Sequence, residues 1–122
     1  MENKLYNAFP IIDVNFISNE VTIEGNSIPE NGIMAYRDFL KELKFYTLNW
    51  PKLTINFKFN IYNTSTTMHI STIMSMCNSM AKTKEVIVNW FYLESDTDMF
   101  EAGEDYKETF KFINNFNLIK IK

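Results

Sequence analysis

Between Leu53 and Ala81 the hydrophobic pattern changes its period once. Leu53, Ile55, Phe57, Phe59 and Ile61 alternate with Thr54, Asn56, Lys58, Asn60 and Tyr62. That period of two predicts a strand with one face on a core and one face wetter. Asn63, Thr64, Ser65, Thr66 and Thr67 follow, side chains that favour helix N-caps over helix interiors. Beyond them Ile70, Ile73, Met74, Cys77, Met80 and Ala81 fall at helical spacing and predict one apolar stripe of a helix reaching about Thr83. A hydroxyl-rich turn therefore stands where a strand ends and a helix begins. Such a turn points free backbone N–H groups outward and favours an anion.

The same reading extends to the rest of the chain. Ile12, Val14 and Phe16 alternate with Asp13 and Asn15, and Val21 and Ile23 with Thr22 and Glu24. With Ser18-Asn19 between them they predict a hairpin. A polar loop from Gly25 to Gly32 follows, holding Pro29, Glu30 and Asn31. Ile33, Tyr36, Phe39, Leu40, Leu43 and Tyr46 then form a helical stripe. Glu30 precedes it, where its charge suits the N-terminal dipole. Asn49-Trp50-Pro51 closes that helix, because the residue before a proline is pushed out of the α region. Val86, Val88, Trp90 and Tyr92 mark another strand, and Asp96-Thr97-Asp98 resembles an N-cap with acidic first-turn residues. The helix behind it carries Met99, Ala102, Tyr106 and Phe110 inward and Glu101, Glu104, Asp105 and Glu108 outward, and Leu118, Ile119 and Ile121 form a short last strand.

The element order is β-β-α-β-α-β-α-β. Strands separated by helices favour parallel neighbours with right-handed crossovers, and the opening hairpin adds an antiparallel pair. The expected fold is a single α/β (α+β) domain over residues 1–122, with a mixed sheet. Because the middle strand alternates, helices should cover mainly one sheet face.

Composition narrows the function. The net charge of −3 and a pI near 5.1 argue against nucleic acid, whose binders carry a basic patch. With one Arg, Arg37, an Arg-built phosphate pocket within the chain is not expected. The lone Cys77 suits a reducing compartment. No apolar run approaches the roughly 20 residues of a membrane span, and Met1-Glu2-Asn3-Lys4 lacks a signal-peptide pattern. A cytoplasmic protein is the default expectation. One Cys and one His exclude a zinc or iron site built from those ligands, three glycines provide no phosphate loop, and no cofactor is expected.

Candidate chemistry is sparse. His69 could serve a Ser-His-acid arrangement, although a polar residue in the first helical turns explains it more simply. The four outward carboxylates could act as acid and base or as an acidic docking surface, and a solvated face explains them as well. Met68, Met74, Met76 and Met80 read as core filler or as an adaptable docking edge, and Trp50 and Trp90 as core or strand-cap aromatics. Two readings stand for Thr64. Its hydroxyl caps the helix, worth on the order of 1 kcal/mol, or it accepts a phosphate. The phosphate would add roughly −1.5 to −2 charges at a helix N-terminus that favours them.

Four stretches carry a further signal together: Gly25-Asn26-Ser27-Ile28-Pro29-Glu30-Asn31, Tyr62-Asn63-Thr64-Ser65, Val88-Asn89-Trp90-Phe91-Tyr92 before Asp96-Thr97-Asp98-Met99, and Glu101-Ala102-Gly103-Glu104-Asp105-Tyr106. In this order and spacing, over about residues 10 to 117, the chain resembles the SiaC family of bacterial regulatory phosphoproteins, small domains distantly like the STAS-class anti-sigma-factor antagonists. The resemblance implies a non-enzymatic switch. A dedicated serine/threonine kinase with a histidine-kinase-type ATPase domain would phosphorylate the threonine of the Asn-Thr-Ser turn. A metal-dependent phosphatase would remove the phosphate, and the unmodified form would activate a downstream partner such as a diguanylate cyclase. That threonine is Thr64, with Ser65, Thr66 and Thr67 as alternative acceptors and Tyr62, Asn63, Ser65 and Met68 forming the docking turn. Two other readings remain: a small-molecule-binding or hydrolytic domain using His69 and the acidic helix, marked by a deep polar pocket uniting them, and an oligomerisation module using the less covered sheet face.

Overall fold

The computed structural model describes residues 8–122; the reading of Met1 to Lys4 falls outside them. One sheet holds five strands in chain order, β1 (Ile11–Asn15), β2 (Glu20–Ser27), β3 (Lys52–Tyr62), β4 (Glu85–Leu93) and β5 (Asn115–Ile121). β1 and β2 pair antiparallel, and β2 through β5 are parallel. The crossovers contain α1 (Gly32–Asn49), α2 (Thr64–Met80) and α3 (Thr97–Thr109). This is the expected order and the expected mixed sheet.

A sheet whose parallel strands follow chain order, joined by crossovers of one hand, collects its helices on one face. The burial pattern shows that face. Val21, Ile55, Phe57, Val88, Trp90 and Phe116 point into it and are buried, while Thr22, Lys58, Asn89 and Asn117 point the other way. Tyr36, Phe39, Leu43 and Tyr46 of α1 and Ile70, Ile73, Met74, Cys77 and Met80 of α2 complete the core. Burial pushes the Cys77 thiol up to about 12, which makes it an inert core residue. Trp90 is fully buried, and its Nε1 donates to Met99 O at 2.9 Å, tying β4 to α3. Trp50 stacks on Tyr46 with ring centres 4.1 Å apart.

The alternation in β3 fails at its C-terminal end. Gly25 of β2 lies opposite Phe59, but Asn26 lies opposite Ile61, so Asn60 is an extra residue in β3. Such a bulge reverses which face each later side chain takes. Ile61, expected inside with Phe59, is 51% exposed, and Tyr62 turns in against Phe59 and Trp90. Gly25, beside the bulge, has φ +95°, a conformation that L side chains resist.

Other differences have local causes. Ile33 fits the α1 stripe by spacing but is more than half exposed, one residue inside the helix start. Phe16 lies past the end of β1 and is largely exposed, resting edge-on against Tyr46 and Trp50. The second helix ends at Met80 and a turn covers the residues up to Thr83. The last strand begins at Asn115 and inserts Phe116 into the core. Among the described residues no helix is long and apolar enough to cross a membrane.

Gly25→Ala tests the bulge. No heavy atom lies within 4 Å of an added Cβ, so the cost is purely conformational. Urea unfolding should show a loss of about 1–2 kcal/mol, and an unchanged stability would remove the bulge's claim on that glycine.

Candidate functional site

α1, α2 and α3 each start after a parallel strand, so their N-termini gather at one end of the sheet. Their N-caps are Asn31, Asn63 and Asp96, whose side chains accept from the N–H groups of Ile33, Thr66 and Met99. The cap of α2 is therefore Asn63, not Thr64. Thr64 is the first helical residue, and its hydroxyl has no hydrogen-bond partner among the described residues.

The neighbouring hydroxyls are engaged. Thr66 Oγ1 donates to the carbonyl of Ser27 at 2.8 Å and also lies 2.7 Å from Ser27 Oγ, which lies 2.7 Å from Tyr36 Oη. Each hydroxyl has one proton, so the direction follows: Tyr36 donates to Ser27, Ser27 to Thr66, and Thr66 to the Ser27 carbonyl. All three residues are fully buried. Burial raises the Tyr36 pKa, opposed by its bond to Ser27. Ser65 Oγ accepts from Gly32 N at 2.6 Å, so a side chain of α2 satisfies a free N–H at the start of α1. Thr67 Oγ1 donates to Asn63 O at 3.3 Å.

The loop before α1 is fastened to the same turn. Asn63 N donates to Ser27 O at 3.1 Å, and Asn63 Nδ2 donates to Pro29 O at 2.8 Å. Pro29 is buried, while Glu30 and Asn31 are exposed. The two helix starts approach so closely that a Cβ on Gly32 would stand 2.6 Å from His69 Cδ2 and 2.7 Å from Ser65 Oγ. His69 stacks on Tyr36 at 5.2 Å.

Of the residues expected to form a docking turn, Met68 is exposed at 69%. Asn63 and Ser65 use their side chains internally. Tyr62 is half-buried, and burial, with Tyr106 and Asp96 adding to it, raises its pKa to about 12. Ile61, Ile33 and Met34 add exposed apolar surface around this end, although the hydrophobic pattern places Ile33 and Ile61 on the inward faces of their elements. The hollow beside the turn is lined by Asn60, Ile61, Tyr62, Asp96, Asp98 and Met99. It holds two carboxylates and no cation, and it includes neither His69 nor the outer carboxylates of α3. Glu101, Glu104, Asp105 and Glu108 form a solvated face. Among the described residues no cluster of three or more His, Cys, Asp or Glu could hold a metal. Ser27 and Tyr36 were not legible as part of the site; the one trace was Ser27's place in the loop motif.

Thr66→Val should lower stability by about 1–3 kcal/mol, because it removes the middle of a buried hydroxyl chain, while Thr64→Val should leave thermal unfolding nearly unchanged. Equal effects would refute this division. Alkali gives a second test. The folded pKa of Tyr62 lies above its unfolded value of 10.0, so its contribution is complete below pH 10 and disappears as pH rises toward 12. Tyr62→Phe should shallow that loss in pH-dependent urea unfolding, and an unaltered profile would contradict it.

No curated relative matches the sequence. Solved structures match the fold closely at low identity. A chain of the crystal structure of the diguanylate cyclase SiaD in complex with its activator SiaC from Pseudomonas aeruginosa superposes with a TM-score of 0.85 at 17% identity, covering 94% of each chain. Apo-SiaC from Pseudomonas aeruginosa gives 0.79 at 16% identity, covering 95% of this chain and 93% of that one. The family model described as SiaC family regulatory phosphoprotein matches residues 4–121. With that match running over almost its whole length, this chain belongs to the SiaC family of regulatory phosphoproteins.

Proposed function

We propose that this protein is a cytoplasmic adaptor without catalysis of its own, switched by phosphorylation of Thr64. One observation carries the reading: of the four consecutive hydroxyls from Thr64 to Thr67, only that of Thr64 is both exposed and unengaged within the described fold. Thr66 is sealed in the core, Ser65 is tied to Gly32, and Thr67 is bonded back to Asn63. A kinase can take Thr64 without breaking a bond the fold uses. The N–H groups of the first helical turn favour the added anion, so the fold tolerates it.

The consequence falls on the surface. Unmodified, the turn presents a neutral hydroxyl beside Met68 and Ile61, both exposed. A partner buries that apolar ground. Phosphate adds roughly −1.5 to −2 charges at the same end of the sheet as Asp96 and Asp98, and no cation lines the hollow there. Desolvating that charge opposes docking. The family resemblance supplies the other parts: a kinase with a histidine-kinase-type ATPase domain, a metal-dependent phosphatase, and a downstream effector. A diguanylate cyclase is the effector favoured here, because SiaC of Pseudomonas aeruginosa is the activator of one.

Thr64→Glu tests the switch. Calorimetric titration against the cyclase partner should show affinity lowered at least about tenfold, or about 1.4 kcal/mol, with the melting temperature little changed. Unchanged affinity, or an unfolded variant, would sink the surface-switch reading.

A further inference from the structure

The open face of the sheet carries a row of amides. Asn117 Nδ2 donates to Asn89 Oδ1 at 3.0 Å, Asn89 Nδ2 to Asn56 Oδ1 at 2.9 Å, and Asn56 Nδ2 to Glu20 Oε2 at 2.6 Å and to Thr22 Oγ1 at 3.1 Å. The Glu20 carboxylate only accepts, so it fixes the direction of every amide in the row. At the far end Asn117 Nδ2 gives its second proton to Asn115 Oδ1 at 2.9 Å. Two capacities stay unused among the described residues, the acceptor Asn117 Oδ1 and the donor Asn115 Nδ2. Both residues are exposed and both lie on β5.

β5 is an edge, bonded to β4 alone among the described strands. Glu94 N donates to Ile121 O at 3.3 Å, which sets the phase of the ladder. Each residue in a parallel ladder turns its N–H and C=O to the same side. Asn115, Asn117, Ile119 and Ile121 therefore bond toward β4, and Phe116, Leu118 and Lys120 turn theirs outward. From Asn115 to Ile119 this edge has no charge and no proline, the devices that usually keep an edge unpaired. The opposite edge, β1, is five residues long with Asp13 at its centre.

We propose that β5 pairs antiparallel with β5 of a second copy, about a two-fold axis at Phe116. Phe116 of each copy then exchanges its outward N–H and C=O with the other. Asn115 lies opposite Asn117 of the second copy at a non-hydrogen-bonded pair, where side chains approach most closely. There the unused donor meets the unused acceptor, twice by symmetry. Centring the axis on Asn115 puts donor against donor, and centring it on Asn117 puts acceptor against acceptor, so the amides select the register. The five-stranded sheet doubles, and the contact uses its edge rather than its open face. The pairing does not depend on the switch at Thr64.

Asn115→Asp isolates the contact, because the carboxylate keeps the acceptor that Asn117 uses within the chain and loses the donor that the second copy needs. In sedimentation velocity on the full chain, from roughly 1 µM to 1 mM, the natural sequence should form dimers. Asn115→Asp should weaken them at least about tenfold with the melting temperature of the dilute monomer unchanged. Adding Asn117→Lys should restore the dimer through opposite charges across the strands. A natural chain that stays monomeric throughout the series, including one whose edge takes only a strand of another protein, would overturn the proposal. So would an Asn115→Asp variant that dimerises as tightly as the natural chain.

Discussion

A directional chain of three buried hydroxyls fixes the site. Tyr36 of α1 donates to Ser27 at the end of β2, Ser27 donates to Thr66 in the first turn of α2, and Thr66 returns its proton to the Ser27 carbonyl. With this network complete, Thr66 has no choice of direction. Residues two apart in a helix lie about 200° apart around its axis, so burying Thr66 turns Thr64 to the solvent. The exposure of one hydroxyl thus follows from the burial of another. Asn63 completes the arrangement by capping α2 and holding the carbonyl of Pro29. The loop before α1 and the start of α2 therefore act as one rigid platform.

The side chain of Thr64 is separate from what holds the fold together. The core sits between the helices and one face of the sheet, centred on Trp90, Phe57 and the α1 and α2 stripes. The other face is knitted by amides that cross from β5 to β2. Neither passes through the side chain of Thr64. The proposed switch therefore acts at a side chain that neither the core nor the amide row uses. The family to which the chain belongs is one of regulatory phosphoproteins.

Much of this architecture was legible in the alternation of the chain. The strands and helices fall in the expected order, because the strands keep period two, β3 as far as its bulge, and each helix keeps one apolar stripe. The bulge at Asn60 was not legible. Asn60 has the same character as Asn56, and what distinguishes it is the pairing with β2, beside a glycine in a conformation few other residues adopt. That shift exposed Ile61 and drew Tyr62 inward. The start of β5 was hidden for a related reason. Asn115 and Asn117 disfavour strands locally, and the cross-strand amides that settle them come from β4. At the turn, Asn63 and Thr64 are both good capping residues, so sequence alone could not choose between them. Tertiary pairing of Thr66 with Ser27, far away in the chain, decides it.

The most direct measurement is the position of the phosphate itself. The natural chain, incubated with its kinase and ATP, is digested, and the modified residue is mapped by mass spectrometry. This account predicts phosphate on Thr64 alone. Phosphate on Ser65, Thr66 or Thr67 instead, or a chain that the kinase leaves unmodified, would contradict it.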